Sequence, residues 1–186
     1  MATDRLTEVL DAAYECLTRY GVRRTTVDDI ATAMGVSRSA VYQYVRGKDD
    51  AFRRLAERLH ARALGRARRA AAADAPPAAR AKGVLGARLA LVLQLTGDSP
   101  HTAELLDERT RLFGDICHGF TDELRHLLTG VFAEAGTTAP AGPAQAADIC
   151  IALVLGLESA PDGERLLDPA ADALLAGLLG APAATR

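Results

Sequence analysis

Residues 25–48, TTVDDIATAMGVSRSAVYQYVRGK, constrain this chain more than any other stretch. At a 3.6-residue period, Val27, Ile30, Ala31 and Met34 share one face of a short helix. Thr26 is placed to cap it, and Asp28 and Asp29 load its first turn with the negative charge a helix N-terminus favours. Gly35 ends it, because glycine takes positive φ at no steric cost. Past Val36, Ser37 is a second N-cap, and the next helix turns Val41 and Tyr44 inward. Small Ala31 sits where the helices must cross closely, and Val36 plugs the turn. Two helices joined by a short turn containing Gly have the layout of a DNA-binding helix-turn-helix.

The second helix leaves Arg38, Ser39, Tyr42 and Gln43 facing out, with Ala40 between them. Each suits a base edge or a phosphate. Arg forks to guanine O6 and N7, Gln to adenine N6 and N7, Ser takes either role, and an aromatic ring or Ala meets the thymine methyl. The competing reading is a solvated helix face, which is what most polar faces are. The turn geometry beside this one favours DNA.

The run VDDIATAMGVSRSAVYQYVRGKDDAF resembles the N-terminal signature of TetR-type transcriptional regulators, with its aromatic-x-aromatic ending and a basic residue opening the next helix. The resemblance covers about residues 5 to 60; beyond them it rests on length and helical pattern. It implies a homodimer whose recognition helices enter successive major grooves of a palindromic operator in double-stranded DNA. A small apolar effector, of unknown identity, would bind the C-terminal part and release the repressor. On matching positions, Thr26, Tyr44 and Lys48 would touch phosphates, while Arg38, Ser39, Tyr42 and Gln43 would face bases. Val45 stands where many relatives carry Phe, a departure expected to affect packing rather than readout.

Net charge is −2, which alone would argue against a DNA binder. The charge is unevenly placed, however. Residues 1–70 carry fourteen Lys/Arg against nine Asp/Glu, and residues 71–186 eight against fifteen. The basic end is the end with the helix-turn-helix, as phosphate binding requires. Apolar content of 49% marks a globular chain, and abundant Ala with scarce aromatics favours helix over sheet. Cys16, Cys117 and Cys150 are widely spaced with no Cys-x-x-Cys pair, which reads as reduced thiols. Met1 is followed by no basic-then-apolar leader, and the longest apolar run, Ile149 to Leu157, is too short for a bilayer. A cytoplasmic location and no membrane partner are expected.

The remaining pattern is helical throughout. A first helix spans about Asp4 to Tyr20, with Leu6, Val9, Leu10, Ala13 and Leu17 buried and Gly21 ending it. A lever helix begins near Lys48 and reaches about Ala73, with Phe52, Leu55, Ala56, Leu59 and Ala63 inward. After Pro76 and Pro77, a hydrophobic helix covers roughly Ala78 to Leu95. Ser99 can cap a tract from His101 to about Glu134, expected to kink or break near Gly114 or Gly119. Two last helices are expected at Ala144 to Ala160 and Pro169 to Leu179. Ile149, Ala152, Leu153, Gly156, Leu174, Leu175 and Leu178 are apolar or small over too broad an arc for a solvent-facing pair. They read either as core or as a self-associating face, and the resemblance implies dimerisation.

The expected architecture is therefore all-α, with a three-helix DNA-binding domain at 1–47 and a helical ligand-binding and dimerisation domain at 48–186. Leu59, Leu89, Leu93, Leu105, Phe113, Cys117 and Phe120 are nominated for an apolar effector site, with His101, Arg109 and His118 supplying orientation where they point inward. His118, Asp122 and His126 have metal-ligand spacing, but on the face opposite the apolar stripe, so no metal is expected. No phosphate-cradling Gly loop and no paired nucleophile occur, so neither cofactor nor enzymatic activity is expected. The alternatives are a ligand-independent regulator or activator, and a helical enzyme or scaffold with an incidental αα-hairpin.

Overall fold

The computed structural model describes residues 2–97, 101, 109–137 and 140–180, with side chains placed at 5–95, 101, 113–137 and 140–180. Among the described residues it is all-α, without strands. The helices are α1 (Ala2–Arg24), α2 (Val27–Met34), α3 (Arg38–Val41), α4 (Lys48–Ala71), α5 (Pro77–Gly97), α6 (Arg109–Ala135), α7 (Pro143–Glu158) and α8 (Gly163–Leu179). The chain forms two compact units, Met1–His60 with Gln94–Cys117, and Ala61–Leu93 with His118–Arg186. Compactness thus divides the chain within α4, α5 and α6, a different criterion from the functional boundary expected between residues 47 and 48.

In the first unit α1 is long because its apolar stripe repeats without interruption as far as Leu17. It breaks at Gly21, whose φ of 80° and ψ of 168° lie outside the helical region. Thr25 then folds back, its amide and hydroxyl both donating to the Gly21 carbonyl at 3.1 and 2.7 Å. That pairing lets a polar side chain be fully buried. Val9, Ala12, Ala13 and Cys16 of α1 meet Val27, Ile30 and Ala31 of α2, together with Val41, Val45 and Ala51. Val45 is 2% exposed, so the residue that departs from the family pattern is a packing residue. Phe52, Leu55, Ala56 and Leu59 of α4 are buried as their spacing predicts.

In the second unit α5 makes polar ties to four other helices. Arg80 donates through Nε to the Ala71 carbonyl at the end of α4 (2.6 Å) and pairs with Glu134 of α6 (2.8 Å). Lys82 bridges Asp168 and Asp172 of α8 at 3.3 and 2.9 Å. Arg88, 7% exposed, pairs with Glu158 at the end of α7 (2.5 Å) and donates to Thr121 of α6 (3.0 Å). Between α7 and α8 the chain turns so tightly that a Cβ on Gly163 would fall 2.1 Å from the Leu157 carbonyl oxygen.

Two boundaries differ from expectation. The last helix starts at Gly163 rather than Pro169, and Pro169 lies inside it. A proline takes one amide from the helix, but Pro169 and Arg165, whose carbonyl loses that partner, are both exposed, so water can replace the bond. In α6 the bend falls at buried Phe113 (φ −153°, ψ 31°), one residue before Gly114, while Gly119 stays helical. The expected cap at Ser99 and the helical turns just after His101 lie outside the described residues.

Candidate nucleic-acid interface

The N-terminus of α2 is closed by a reciprocal pair. The Asp29 amide donates to Thr26 Oγ1 at 3.2 Å, and the Thr26 amide donates to the Asp29 carboxylate at 2.8 Å. This capping box satisfies two otherwise orphaned donors. At the other end, Gly35 takes the left-handed conformation (φ 66°, ψ 31°). Its amide donates to Thr32 and that of Val36 to Ala31, at 3.1 and 3.0 Å. This two-bond closure is a Schellman motif, and it sets the angle at which the chain enters α3. Ser37 then caps α3, accepting from the Ala40 amide at 3.3 Å.

Only Val41 of α3 is fully buried, with Tyr44 half-buried against the core of the unit. Arg38, Ser39, Tyr42 and Gln43 are exposed, Tyr42 by 43%. All four nominated base-facing residues therefore share one open face. Two of them, Arg38 and Tyr42, are also coupled. Arg38 donates to the Tyr42 hydroxyl at 3.1 Å, lies 5.5 Å from the centre of its ring, and pairs with Asp28 of α2 at 3.3 Å. The hydrogen bond to Tyr42, then the Asp28 charge, raise the Arg38 pKa above its ordinary value. The Asp28 tie was not visible in the sequence, since it spans ten residues across the turn.

The nominated phosphate contacts are placed less uniformly. Thr26 is exposed, but its hydroxyl already bonds Asp29 at 2.7 Å. Lys48 is half-buried, and its ammonium donates to the carbonyl oxygens of Arg23 (3.0 Å) and Val22 (3.4 Å). Arg23, Arg24 and Arg46 are exposed on the same unit.

Of the nominated effector residues, Leu59 and Phe113 are buried in the first unit, where His101 and Cys117 are half-buried. Leu89 and Phe120 are buried and Leu93 half-buried in the second unit. Leu105 and the Arg109 side chain lie outside the described residues. A groove of about 270 Å³ on the second unit is lined by Arg68, Arg80, His126, Leu127 and Val131, none of which was nominated. The expected dimerisation set is divided. Leu175 and Leu178 belong to the core of the second unit, Leu153 and Leu174 are half-buried, and Ile149, Ala152 and Gly156 are exposed. His118, Asp122 and His126 are exposed, and Asp122 is paired with Arg125 at 2.6 Å. Among the described residues no cluster of three His, Cys, Asp or Glu side chains is placed to hold a metal ion, and no helix is long and apolar enough to cross a membrane.

Comparison with known proteins agrees with this geometry. Residues 9–55 match the family described as "Bacterial regulatory proteins, tetR family". The chain is 30% identical over 126 residues to the HTH-type transcriptional regulator TtgR of Pseudomonas putida. That alignment takes in 66% of this chain and 55% of TtgR, so the chain spans about half the length of this curated relative. A putative transcriptional regulator from Pseudomonas aeruginosa PAO1 superposes with a TM-score of 0.74 at 23% identity, covering 95% of this chain and 91% of that one. SmeT of Stenotrophomonas maltophilia, in its complex with triclosan, superposes with a TM-score of 0.70 at 21% identity, covering 97% and 98%. Residues 9–55 thus carry the helix-turn-helix region of the tetR family of bacterial regulatory proteins, within an all-α fold shared with these structures.

Proposed function

We propose that the protein is a dimeric, ligand-responsive repressor that binds a two-fold operator in duplex DNA and is released by a small apolar effector. The observation that carries this reading is the open face of α3, where Arg38, Ser39, Tyr42 and Gln43 project together behind a turn fixed by two backbone bonds. A solvated face has no need of such a rigid entry or of side chains that match base edges. Residues 1–47 would read DNA. Thr26, Tyr44 and Lys48 would hold phosphates, and Arg38 and Ser39 of α3 with Tyr42 and Gln43 just after it would face bases. An enzyme or scaffold with an incidental hairpin gives no account of that face.

Residues 48–186 would bind the effector and the second subunit. The triclosan complex of SmeT, a protein of similar fold, supports a small-molecule ligand for this part of the chain. Exposed Ile149, Ala152 and Gly156 with half-buried Leu153 would form the α7 side of the subunit contact, since an exposed apolar strip gains stability only when covered. The site of action would be the cytoplasm, with no catalytic role. The direct test is footprinting on DNA flanking the protein's own coding region, with and without cell extract. Protection of two half-sites about one helical turn apart, lost on adding extract, is the expected outcome. Absence of protection at moderate salt would contradict the reading.

A further inference from the structure

The three cysteines of the chain differ in what they can do. Cys16 and Cys150 are buried, and burial pushes both thiols up, that of Cys150 to about 12. Neither is a nucleophile near neutral pH. Cys117 on α6 is half-exposed, and its Sγ lies 3.6 Å from Nε2 of His60 on α4, within the same compact unit. The other ring nitrogen, Nδ1, lies 2.8 Å from the Ala56 carbonyl oxygen. A carbonyl only accepts, so Nδ1 carries the proton and donates it there. In the neutral ring Nε2 is then a lone pair facing the thiol, and the S–H group is the donor. Nucleophile, base and a third group that orients the base are the parts of an activated cysteine.

We propose that Cys117 and His60 form a covalent capture site for soft carbon electrophiles, the conjugate acceptors represented by enones, maleimides and quinones. The thiol proton passes from Sγ to His60 Nε2, and the thiolate attacks the β-carbon of the acceptor. A sulfur–carbon bond forms as the carbon–carbon π bond breaks, and the displaced pair rests on the carbonyl as an enolate. The imidazolium then returns its proton to the α-carbon. The adduct contains every atom of both reactants, and no oxidant is consumed. Carbon electrophiles are favoured over oxidants because the other two thiols, Cys16 and Cys150, are buried, which leaves an oxidised Cys117 without an exposed resolving thiol in the chain. The neighbouring charges on these two helices, Arg53, Glu57 and Asp115, are already engaged with one another. The chemistry goes beyond the regulatory reading and does not depend on DNA binding.

The test treats the full chain with limiting N-ethylmaleimide across about pH 5 to 9, using glutathione as the reference thiol and mass spectrometry to place the adduct. One adduct on Cys117 is expected, formed at about pH 6 at least about tenfold faster than on glutathione, because the imidazole beside the thiol takes up its proton within the pair. His60→Gln should abolish the advantage and restore the steep loss of rate with acid. If that variant unfolds, adducts on Cys16 and Cys150 reveal it in the same spectrum, and the unmodified protein's pH profile decides alone. A Cys117 rate that follows glutathione over the whole range, or equal modification of all three cysteines in the folded protein, overturns the proposal.

Discussion

The ammonium of Lys48 donates to the carbonyl oxygen of Arg23 at 3.0 Å, closing the C-terminal end of α1 from the first residue of α4. A cation at the start of α4 opposes that helix's dipole, but here the charge is delivered to the negative end of another helix. The same side chain is proposed to hold a phosphate, so it would serve both fold and ligand. Lys48→Ala is expected to lower stability by about 1 kcal/mol, the range for a hydrogen bond from a charged donor at a partly wet site. Urea denaturation of the two proteins measures it. An unchanged midpoint would mean the contact contributes nothing in solution.

Arg38 is held between Asp28 and Tyr42. On the proposed reading, the Asp28 carboxylate would compete with phosphate and guanine for that guanidinium and add like-charge repulsion toward the DNA backbone. Asp28→Asn should therefore tighten DNA binding by about two- to fivefold at low salt, matching the modest worth of an exposed ion pair. The gain should shrink as salt screens it. A fluorescence titration at two ionic strengths checks both parts.

The pair between Arg88 and Glu158 is a different case, because Arg88 is buried and the Glu158 side chain is only 10% exposed. Removing one partner leaves an uncompensated charge away from water. Glu158→Ala should cost about 3–5 kcal/mol, whereas replacing both partners by apolar residues should recover most of that loss. Denaturant curves for the single and double variants decide it. Equal destabilisation by both would contradict the argument.

Asp115 pairs with Arg53, which holds its carboxyl at about 2, below the ordinary 3.8. A carboxyl depressed in the folded state contributes stability above its unfolded pKa and loses it as pH falls through the folded value. The difference in melting temperature between the natural protein and Arg53→Met should thus be constant above about pH 5 and vanish towards pH 2. Because Asp115 is exposed, the effect should be small and weakened by salt.

The helix-turn-helix was legible in the sequence because its determinants are local. Thr26, Gly35 and Ser37 each act within four residues of themselves, and the structure uses each as its chemistry suggests. What lay hidden depends on partners distant in sequence. Arg88 falls on the apolar stripe of α5 beside Leu85 and Leu89, and nothing nearby announces Glu158 seventy residues on. The last helix runs past Pro169 back to Gly163, a start marked in the sequence by the helical spacing of buried Gly163, Ala171, Leu175 and Leu178. The last two helices are apolar over a broad arc, and periodicity alone could not assign Leu175 and Leu178 to the core while leaving Ile149 on the surface. The Cys117–His60 pair likewise joins residues fifty-seven apart.

The central claim, that α3 reads bases while Lys48 grips the backbone, is tested most directly by mobility shifts of Gln43→Ala and Lys48→Ala on a panel of single-base operator variants. Lys48→Ala should weaken every duplex by a similar factor and flatten the salt dependence by about one phosphate contact. Gln43→Ala should instead erase discrimination at one base-pair position while leaving binding of the others in the same order. Parallel losses across the whole panel for both substitutions would contradict the assignment of roles.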